Sequence, residues 1–156
     1  MIQRIQTVYL ALVALLCGVC LCSTIGRFVN DTEVLASFSN FSFSSDVASD
    51  IVGPWPFGVL LGLVLLLTLV SIFLYRHRMR QLRLVIFSTI LLVGYVGAYA
   101  FIVWFYLQQL TAAGLDAHYE LALAALWPVV CVILNCMAIR GIRKDEALVR
   151  SLDRIR

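Results

Sequence analysis

Five cysteines are the side chains best suited to chemistry in this sequence, and two of them are spaced as a C-x-x-C pair. Cys17 and Cys20 form that pair, Cys22 follows closely, and Cys131 and Cys136 lie near the other end of the chain. A thiol oxidoreductase needs such a pair near an accessible edge with a depressed pKa. All five lie in apolar runs with no neighbouring charge to stabilise a thiolate. We therefore predict that they are small packing residues.

Metal and haem sites are also poorly supported by the residues present. Zinc held by Cys17, Cys20 and Cys131 would require anionic ligands buried in apolar surroundings. A membrane haem needs facing histidines, whereas His77 and His118 lie in connecting segments on opposite sides of the apolar region. We therefore predict no metal, no cofactor and no catalytic residue, and we expect that the protein is not an enzyme.

The elements that carry these residues are long apolar runs. Of the 156 residues, 62% are hydrophobic and 13% are charged, whereas soluble domains have about 45–50% and about 25%. Four runs approach the roughly 20 residues that a helix needs to cross a bilayer, and none contains Asp, Glu, Lys or Arg. They are residues 5–25, 57–75, 84–107 and 121–139. The sequence therefore predicts an all-α membrane protein, a four-helix transmembrane bundle within residues 1–139.

Basic residues are distributed unevenly among the segments outside these runs. In chain order the segments are 1–4, 26–56, 76–83, 108–120 and 140–156. The first, third and fifth hold eleven of the twelve Lys and Arg residues, whereas the second and fourth hold only Arg27. Lys and Arg in short loops stay in the cytoplasm. We therefore expect both termini in the cytoplasm and residues 26–56 in a periplasmic loop.

The periplasmic loop contains a pattern typical of a short strand. Residues 34–45 alternate phenylalanines with serines in part, and a turn at Asn30-Asp31 would fold residues 27–29 back onto them. We predict a small β-hairpin in this loop. A flexible serine-rich loop is the alternative.

Residues 140–156 form the cytoplasmic tail, which has the pattern of a basic amphipathic helix. Its apolar residues recur on one face at i, i+1, i+4 and i+7. A basic amphipathic helix beside a membrane exit lies on the anionic inner leaflet, and docking onto a cytoplasmic partner is the alternative. The candidate contact residues for either surface are Leu148, Val149, Arg150, Leu152, Arg154 and Ile155.

Small residues indicate where the predicted helices approach one another. Lipid tails are as apolar as leucine, so small side chains are what allow close helix packing. The candidate packing positions are Ala14, Gly18, Gly58, Gly62, Gly94 and Gly97. They predict the contact faces of the bundle, and a homodimer through one of them is the alternative.

Two residues of the fourth run interrupt its apolar character. Pro128 cannot donate a hydrogen bond to the carbonyl of Ala124, which predicts a kink in the helix. Asn135 is the strongly polar side chain deep in a run, and we expect it to hydrogen-bond across to another helix.

The two ends of the chain carry the most specific sequence patterns, MIQRIQTVYL at the start and IRKDEALVRSLDRIR at the finish. Together they resemble a family of small four-span bacterial membrane proteins catalogued as a domain of unknown function. The resemblance covers the whole chain. It implies the inner membrane of a Gram-negative bacterium, and it implies no assigned activity or cofactor.

The expected function follows from the poor support for a chemical site and from the predicted shape. We expect a non-catalytic accessory or scaffold subunit of an envelope complex. Its partners would be the lipid bilayer and other membrane proteins, with a homo-oligomer as an alternative, and the net charge of +3 is too small to indicate nucleic acid. The alternative functions are a small transporter or channel for a neutral or lipid-like substrate, and a membrane thiol oxidoreductase.

Overall fold

Helices and one small antiparallel sheet make up the computed structural model, which describes residues 2–30, 33–45, 54–74, 78–112 and 118–153. Within these residues the helices are α1 (Ile2–Cys22), α2 (Trp55–Phe73), α3 (Arg78–Ala112) and α4 (Trp127–Asp153). The strands are β1 (Thr24–Asn30), β2 (Glu33–Ser39), β3 (Phe43–Ser45) and β4 (His118–Leu121). A 3₁₀ turn at Leu123–Leu126 leads into α4.

The helices form an antiparallel bundle in which each one packs against two others. α1 and α3 each contact both α2 and α4. Cys17 of α1 meets Cys131 of α4, while Gln6 meets Gly141, so the two helices run in opposite directions. The sheet covers the end of the bundle where α1 finishes and α4 begins. We call this the sheet end and the opposite end the far end.

Three helices are long and apolar enough to cross a membrane, which identifies the chain as a membrane protein. They are Trp55–Phe73, Met79–Ala112 and Leu123–Ala147. The corresponding part of α1, Gln6–Cys22, is apolar but shorter. Exposed side chains of these helices are those that the rest of the described chain does not cover.

The bounds of the helices differ from the predicted runs at the sheet end. α1 ends at Cys22 rather than at Ile25, because Thr24–Asn30 pair with two other strands. α3 has 35 residues and is about 52 Å long at 1.5 Å per residue. It therefore extends well beyond a hydrocarbon core of about 30 Å. Its last turns support the sheet, since Tyr106 and Leu110 pack against Phe28 and Ala36.

The predicted hairpin is confirmed, and it belongs to a larger sheet. β1 pairs antiparallel with β2, with Phe28 opposite Ala36. β3 joins the outer side of β2, and β4 joins the other side of β1, which gives the order β3-β2-β1-β4. β4 lies in the segment 108–120 and the start of the fourth apolar run, where we had predicted no strand. β4 thus brings the segment 108–120 into the same sheet as the strands of the segment 26–56.

Pro128 does not kink the fourth helix, contrary to the prediction. It is the second residue of α4, which begins at Trp127 after the 3₁₀ turn. A proline in the first turn of a helix removes an N–H that has no helical acceptor there. The carbonyl of Ala124 is not left free either, because the Trp127 N–H donates to it. Pro128 therefore starts the helix.

The tail is not a separate helix. α4 continues without interruption from Trp127 to Asp153, so residues 140–153 extend the same helix beyond the apolar part of the bundle. Residues 154–156 lie outside the described part of the chain. The prediction of a helix in the tail is correct for residues 140–153.

Candidate functional site

Asn40, in the turn between β2 and β3, fastens the sheet to the bundle. Its side chain is 0% exposed, and its Nδ2 donates to the carbonyl oxygen of Cys20 at 2.7 Å. The Tyr95 hydroxyl donates to Asn40 Oδ1, also at 2.7 Å. Cys20 lies in the last turn of α1, where backbone carbonyls lack helical partners. One amide therefore satisfies the end of α1 and joins it to the sheet and to α3.

The turn that carries Asn40 is held in shape by its flanking serines. The backbone N–H of Ser39 and its Oγ both donate to the carbonyl of Ser42, at 2.9 and 2.8 Å. Phe41 lies over Gly58 near the start of α2, where an added Cβ would collide with the Phe41 ring. Gly58 was expected to receive another helix. It receives this turn instead.

A second connection joins β4 to α3 through two phenols. The hydroxyls of Tyr99 and Tyr119 are hydrogen-bonded to each other, and Tyr119 lies over Gly26 of β1, where a Cβ would collide with it. The Phe28 ring packs between Tyr106 and Tyr119, with ring centroids at 4.5 and 4.8 Å. Burial raises the pKa of the Tyr119 phenol to about 12. Its proton is therefore retained at neutral pH.

Three of the cysteines lie together below the sheet, in the core of the bundle. Cys17, Cys20 and Cys131 are each 1% exposed. The Sγ atoms of Cys17 and Cys131 are 3.9 Å apart, and Cys20 Sγ faces the carbonyl of Ala124 at 3.7 Å. Cys22 is exposed. The predicted packing role fits the three buried thiols, and the contact between Cys17 and Cys131 was not predicted.

Zinc coordination would require Cys17, Cys20 and Cys131 to point at a common centre. Within the residues that the structure describes, no group of three or more His, Cys, Asp and Glu side chains is arranged to hold a metal ion. Cys17, Cys20 and Cys131 therefore lie close together without being arranged to coordinate a metal ion. All five cysteines are free thiols.

The candidate packing glycines fall into two groups. A Cβ added at Gly18 of α1 would lie 3.8 Å from the Leu65 side chain of α2, which is ordinary van der Waals contact. Ala14, one turn earlier in α1, is partly buried. An added Cβ at Gly62, Gly94 or Gly97 meets no atom of the described chain within 4 Å. Gly141, which was not predicted, receives Gln6, with 3.0 Å from an added Cβ to Gln6 Cγ.

Polar side chains occupy the core towards the far end. Asn135 donates from Nδ2 to Ser88 Oγ of α3 at 3.4 Å, which confirms the predicted bond to another helix. Its Oδ1 has no partner among the described residues, and the same is true of Gln6 Nε2 and Ser71 Oγ. Three helices thus each place an incompletely satisfied polar atom in the interior.

The structure describes only part of the candidate contact residues in the tail. Four of them belong to α4, which the structure describes there by its backbone and not by its side chains: Leu148, Val149, Arg150 and Leu152. Arg154 and Ile155 lie outside the described residues altogether. The membrane-surface and partner-docking interpretations of this segment both remain predictions.

Sequence reasoning missed the residues that fasten the sheet. Asn40 and Tyr95 are 55 residues apart, and Tyr99 and Tyr119 are 20 apart, so no local spacing connects them. One signal was available: Asn40 interrupts the alternation of phenylalanine and serine in residues 34–45. Asparagine is a turn residue whose amide also bonds to nearby backbone.

A family model described as a domain of unknown function (DUF4293) matches residues 2–155, which is nearly the whole chain. No curated protein matches the sequence.

Proposed function

The chain belongs to the family described as a domain of unknown function (DUF4293), and we propose that it is a non-catalytic accessory subunit of a protein complex in the bacterial inner membrane. In this proposal all the helices of the bundle cross the bilayer, the sheet lies in the periplasm and both termini are cytoplasmic. The charge distribution supports this orientation, since eleven of the twelve basic residues fall in the segments assigned to the cytoplasm.

The depth of α1 in the bundle supports a fourth crossing. Gln6 lies beside Gly141, and Cys20 lies beside Ala124. The described side chains of α1 therefore run alongside α4 from Gly141 to its start and reach Ala124 in the 3₁₀ turn before it. Between Gln6 and Cys20 α1 rises about 21 Å at 1.5 Å per residue, and residues 2–5 add a further turn.

The accessory role is carried by one observation, the unused small face of α3. This face consists of Gly94, Gly97 and Ala98, all of which are exposed. Both of its glycines have open space where a Cβ would project. Tyr95, next to Gly94 in the chain, is by contrast 1% exposed. Among the described residues, the two glycines therefore receive no neighbouring helix.

Small residues on a lipid-facing surface need a reason of their own. A glycine in a helix is less favourable than alanine by about 1 kcal/mol, and lipid tails cover a leucine as well as they cover a glycine. The benefit appears when a second helix approaches, because small side chains let two backbones come close. The small face of α3 therefore fits a contact with a transmembrane helix of another protein.

The test is affinity purification in a mild detergent, comparing wild type with a variant that carries Gly94→Leu and Gly97→Leu. We expect at least a tenfold loss of co-purifying membrane proteins, because the leucines keep a second backbone away. The variant itself should fold, since both positions are open. Ile90→Leu with Val93→Leu is the matched control, because both side chains are exposed on α3 and already large.

Two results would contradict the proposal. Partners recovered with the leucine variant at the wild-type ratio would show that the small face is not the contact. Recovery of a second copy of this chain alone, lost in the same variant, would replace the accessory role with a homodimer.

A further inference from the structure

Two thiols from distant parts of the chain meet inside the bundle, and the proposed accessory role makes no use of them. Cys17 and Cys131 are separated by 114 residues, and their Sγ atoms lie 3.9 Å apart. A disulfide requires about 2.05 Å between sulfurs. The two sulfurs must therefore approach by about 1.9 Å for the bond to form.

The arrangement singles out this pair among the five cysteines. Cys22 and Cys136 are exposed, and Cys136 is on a different side of α4 from the buried Cys131. Cys20 is buried, but its sulfur faces the carbonyl of Ala124 at 3.7 Å. Cys131 Sγ also lies 3.9 Å from the carbonyl oxygen of Val13.

We propose that Cys17 and Cys131 are an oxidisable pair that closes into a disulfide between α1 and α4, with a lipid-soluble quinone as the electron acceptor. Both S–H bonds break and one S–S bond forms. The two electrons and two protons that leave the thiols convert the quinone into its hydroquinone. The sum of the step transfers two hydrogen atoms, so it leaves no net charge on the sulfurs.

The surroundings favour an apolar acceptor over a water-soluble one. Each of the two sulfurs belongs to a side chain that is 1% exposed within a hydrophobic core, and a charged oxidant cannot enter such a region without losing its hydration. A groove of about 320 Å³ lies on the exposed side of the same α1–α4 contact. Leu16 and Val130, the chain neighbours of the two cysteines, line it together with Trp127. Its apolar walls suit a quinone ring.

The experiment uses the full chain in lipid nanodiscs and a decyl-tailed benzoquinone as the probe. After incubation, free thiols are alkylated and the digest is searched by mass spectrometry for the peptide pair linked through Cys17 and Cys131. We expect this link in more than half of the molecules, at least a tenfold lower yield with glutathione disulfide at the same concentration, and an increase in the midpoint of unfolding by SDS.

Three variants make the outcome specific. Cys22→Ser with Cys136→Ser should form the link as wild type does, because both side chains are exposed. A variant with Cys20→Ser added keeps only the proposed pair and should also form it. Cys17→Ala should form no link involving Cys131, and its circular dichroism spectrum shows whether it has folded.

The proposal has two parts that fail separately. Failure of the quinone and of diamide, a small neutral thiol oxidant, to link the pair in folded protein would overturn the disulfide. A link that diamide forms and the quinone does not form would overturn the assigned electron acceptor. A dominant link from Cys20 to Cys131 would overturn the choice of Cys17.

Discussion

The Asn40 side chain forms hydrogen bonds with two buried groups that would otherwise lack this partner. The carbonyl of Cys20 stands in the last turn of α1, and the hydroxyl of Tyr95 stands in the core of the bundle, where it is covered. A buried polar group without a partner is destabilising by about 1–3 kcal/mol. A single amide offers both a donor and an acceptor. The sheet is therefore held in place by the side chain that completes the hydrogen bonds of the bundle.

The substitution Asn40→Leu tests this arrangement at nearly constant volume. It leaves the Cys20 carbonyl and the Tyr95 hydroxyl buried without this partner, so we expect the free energy of unfolding to fall by about 2–4 kcal/mol. Tyr95→Phe removes one of the two bonds and should have the smaller effect. The measurement is unfolding by SDS in mixed micelles, followed by circular dichroism.

The control for Asn40→Leu is Ser37→Ala. The Ser37 hydroxyl is hydrogen-bonded to Ser44 at 2.7 Å on the exposed side of the sheet, where water replaces a lost partner. We expect a change within about 0.5 kcal/mol. If Asn40→Leu were as mild as Ser37→Ala, the amide would not be what fastens the sheet.

Individual residues were predictable where their environment follows from the run that contains them. Asn135 lies deep in an apolar helix, so a bond to another helix was the available solution, and Ser88 provides it. Asn40 lies in a serine-rich segment whose position relative to α1 and α3 depends on the whole fold. No pattern in the sequence around Asn40 indicates that its side chain bonds to Cys20 and Tyr95.

At the scale of elements, the apolar runs predicted the middles of the helices and not their ends. Residues 23–25 are apolar or small enough to continue α1. They leave the helix because β1 gains backbone partners on both sides, from β2 and from β4. β4 comes from a segment about 90 residues later. Pairing over that distance is decided by tertiary structure and not by local propensity.

The start of α4 shows the same effect and permits a second prediction. Because Pro128 is in the first turn, its replacement by alanine restores an N–H at a position without a helical acceptor. We expect Pro128→Ala to lower the free energy of unfolding by less than about 1 kcal/mol, chiefly through the greater freedom of the unfolded chain. Unfolding by SDS is the measurement.

Val132→Pro is the comparison that makes the result for Pro128 informative. It places a proline in the interior of the same helix, where it should lower the free energy of unfolding by about 3 kcal/mol or more. Similar losses for Pro128→Ala and Val132→Pro would contradict the position of Pro128 at the helix start.

At the scale of the whole molecule, two helices give the bundle different ends. α3 continues past the apolar core at the sheet end, where its last turns support β1 and β2. α4 continues at the far end as far as Asp153, and that extension holds basic residues such as Arg140 and Arg143. The molecule therefore presents a serine-rich sheet, whose strands hold one basic residue, Arg27, at one end and a basic helix at the other.

This asymmetry was predictable in part. Hydropathy and charge gave the number of apolar runs and their expected orientation, because both depend on composition along the chain. The addition of β4 to the sheet was not predictable, because its pairing with β1 depends on tertiary structure and not on local propensity. The small face of α3 was visible as glycines in the sequence, but its exposure became visible only in the assembled bundle.

The central claim is that the bundle crosses the membrane with the sheet outside and the far end inside. Single cysteines introduced into full-length protein with all five natural cysteines changed to serine test it directly. The positions are Gln3, Ser44, Arg80, Glu120 and Arg143, and the last four have exposed side chains. A maleimide that cannot cross membranes is applied to intact cells whose outer membrane has been made permeable, and to lysed cells. The account predicts labelling of Ser44→Cys and Glu120→Cys in both samples, and of the other three only after lysis. Labelling of Gln3→Cys before lysis would remove the fourth crossing, and the reverse pattern at all five positions would contradict the orientation.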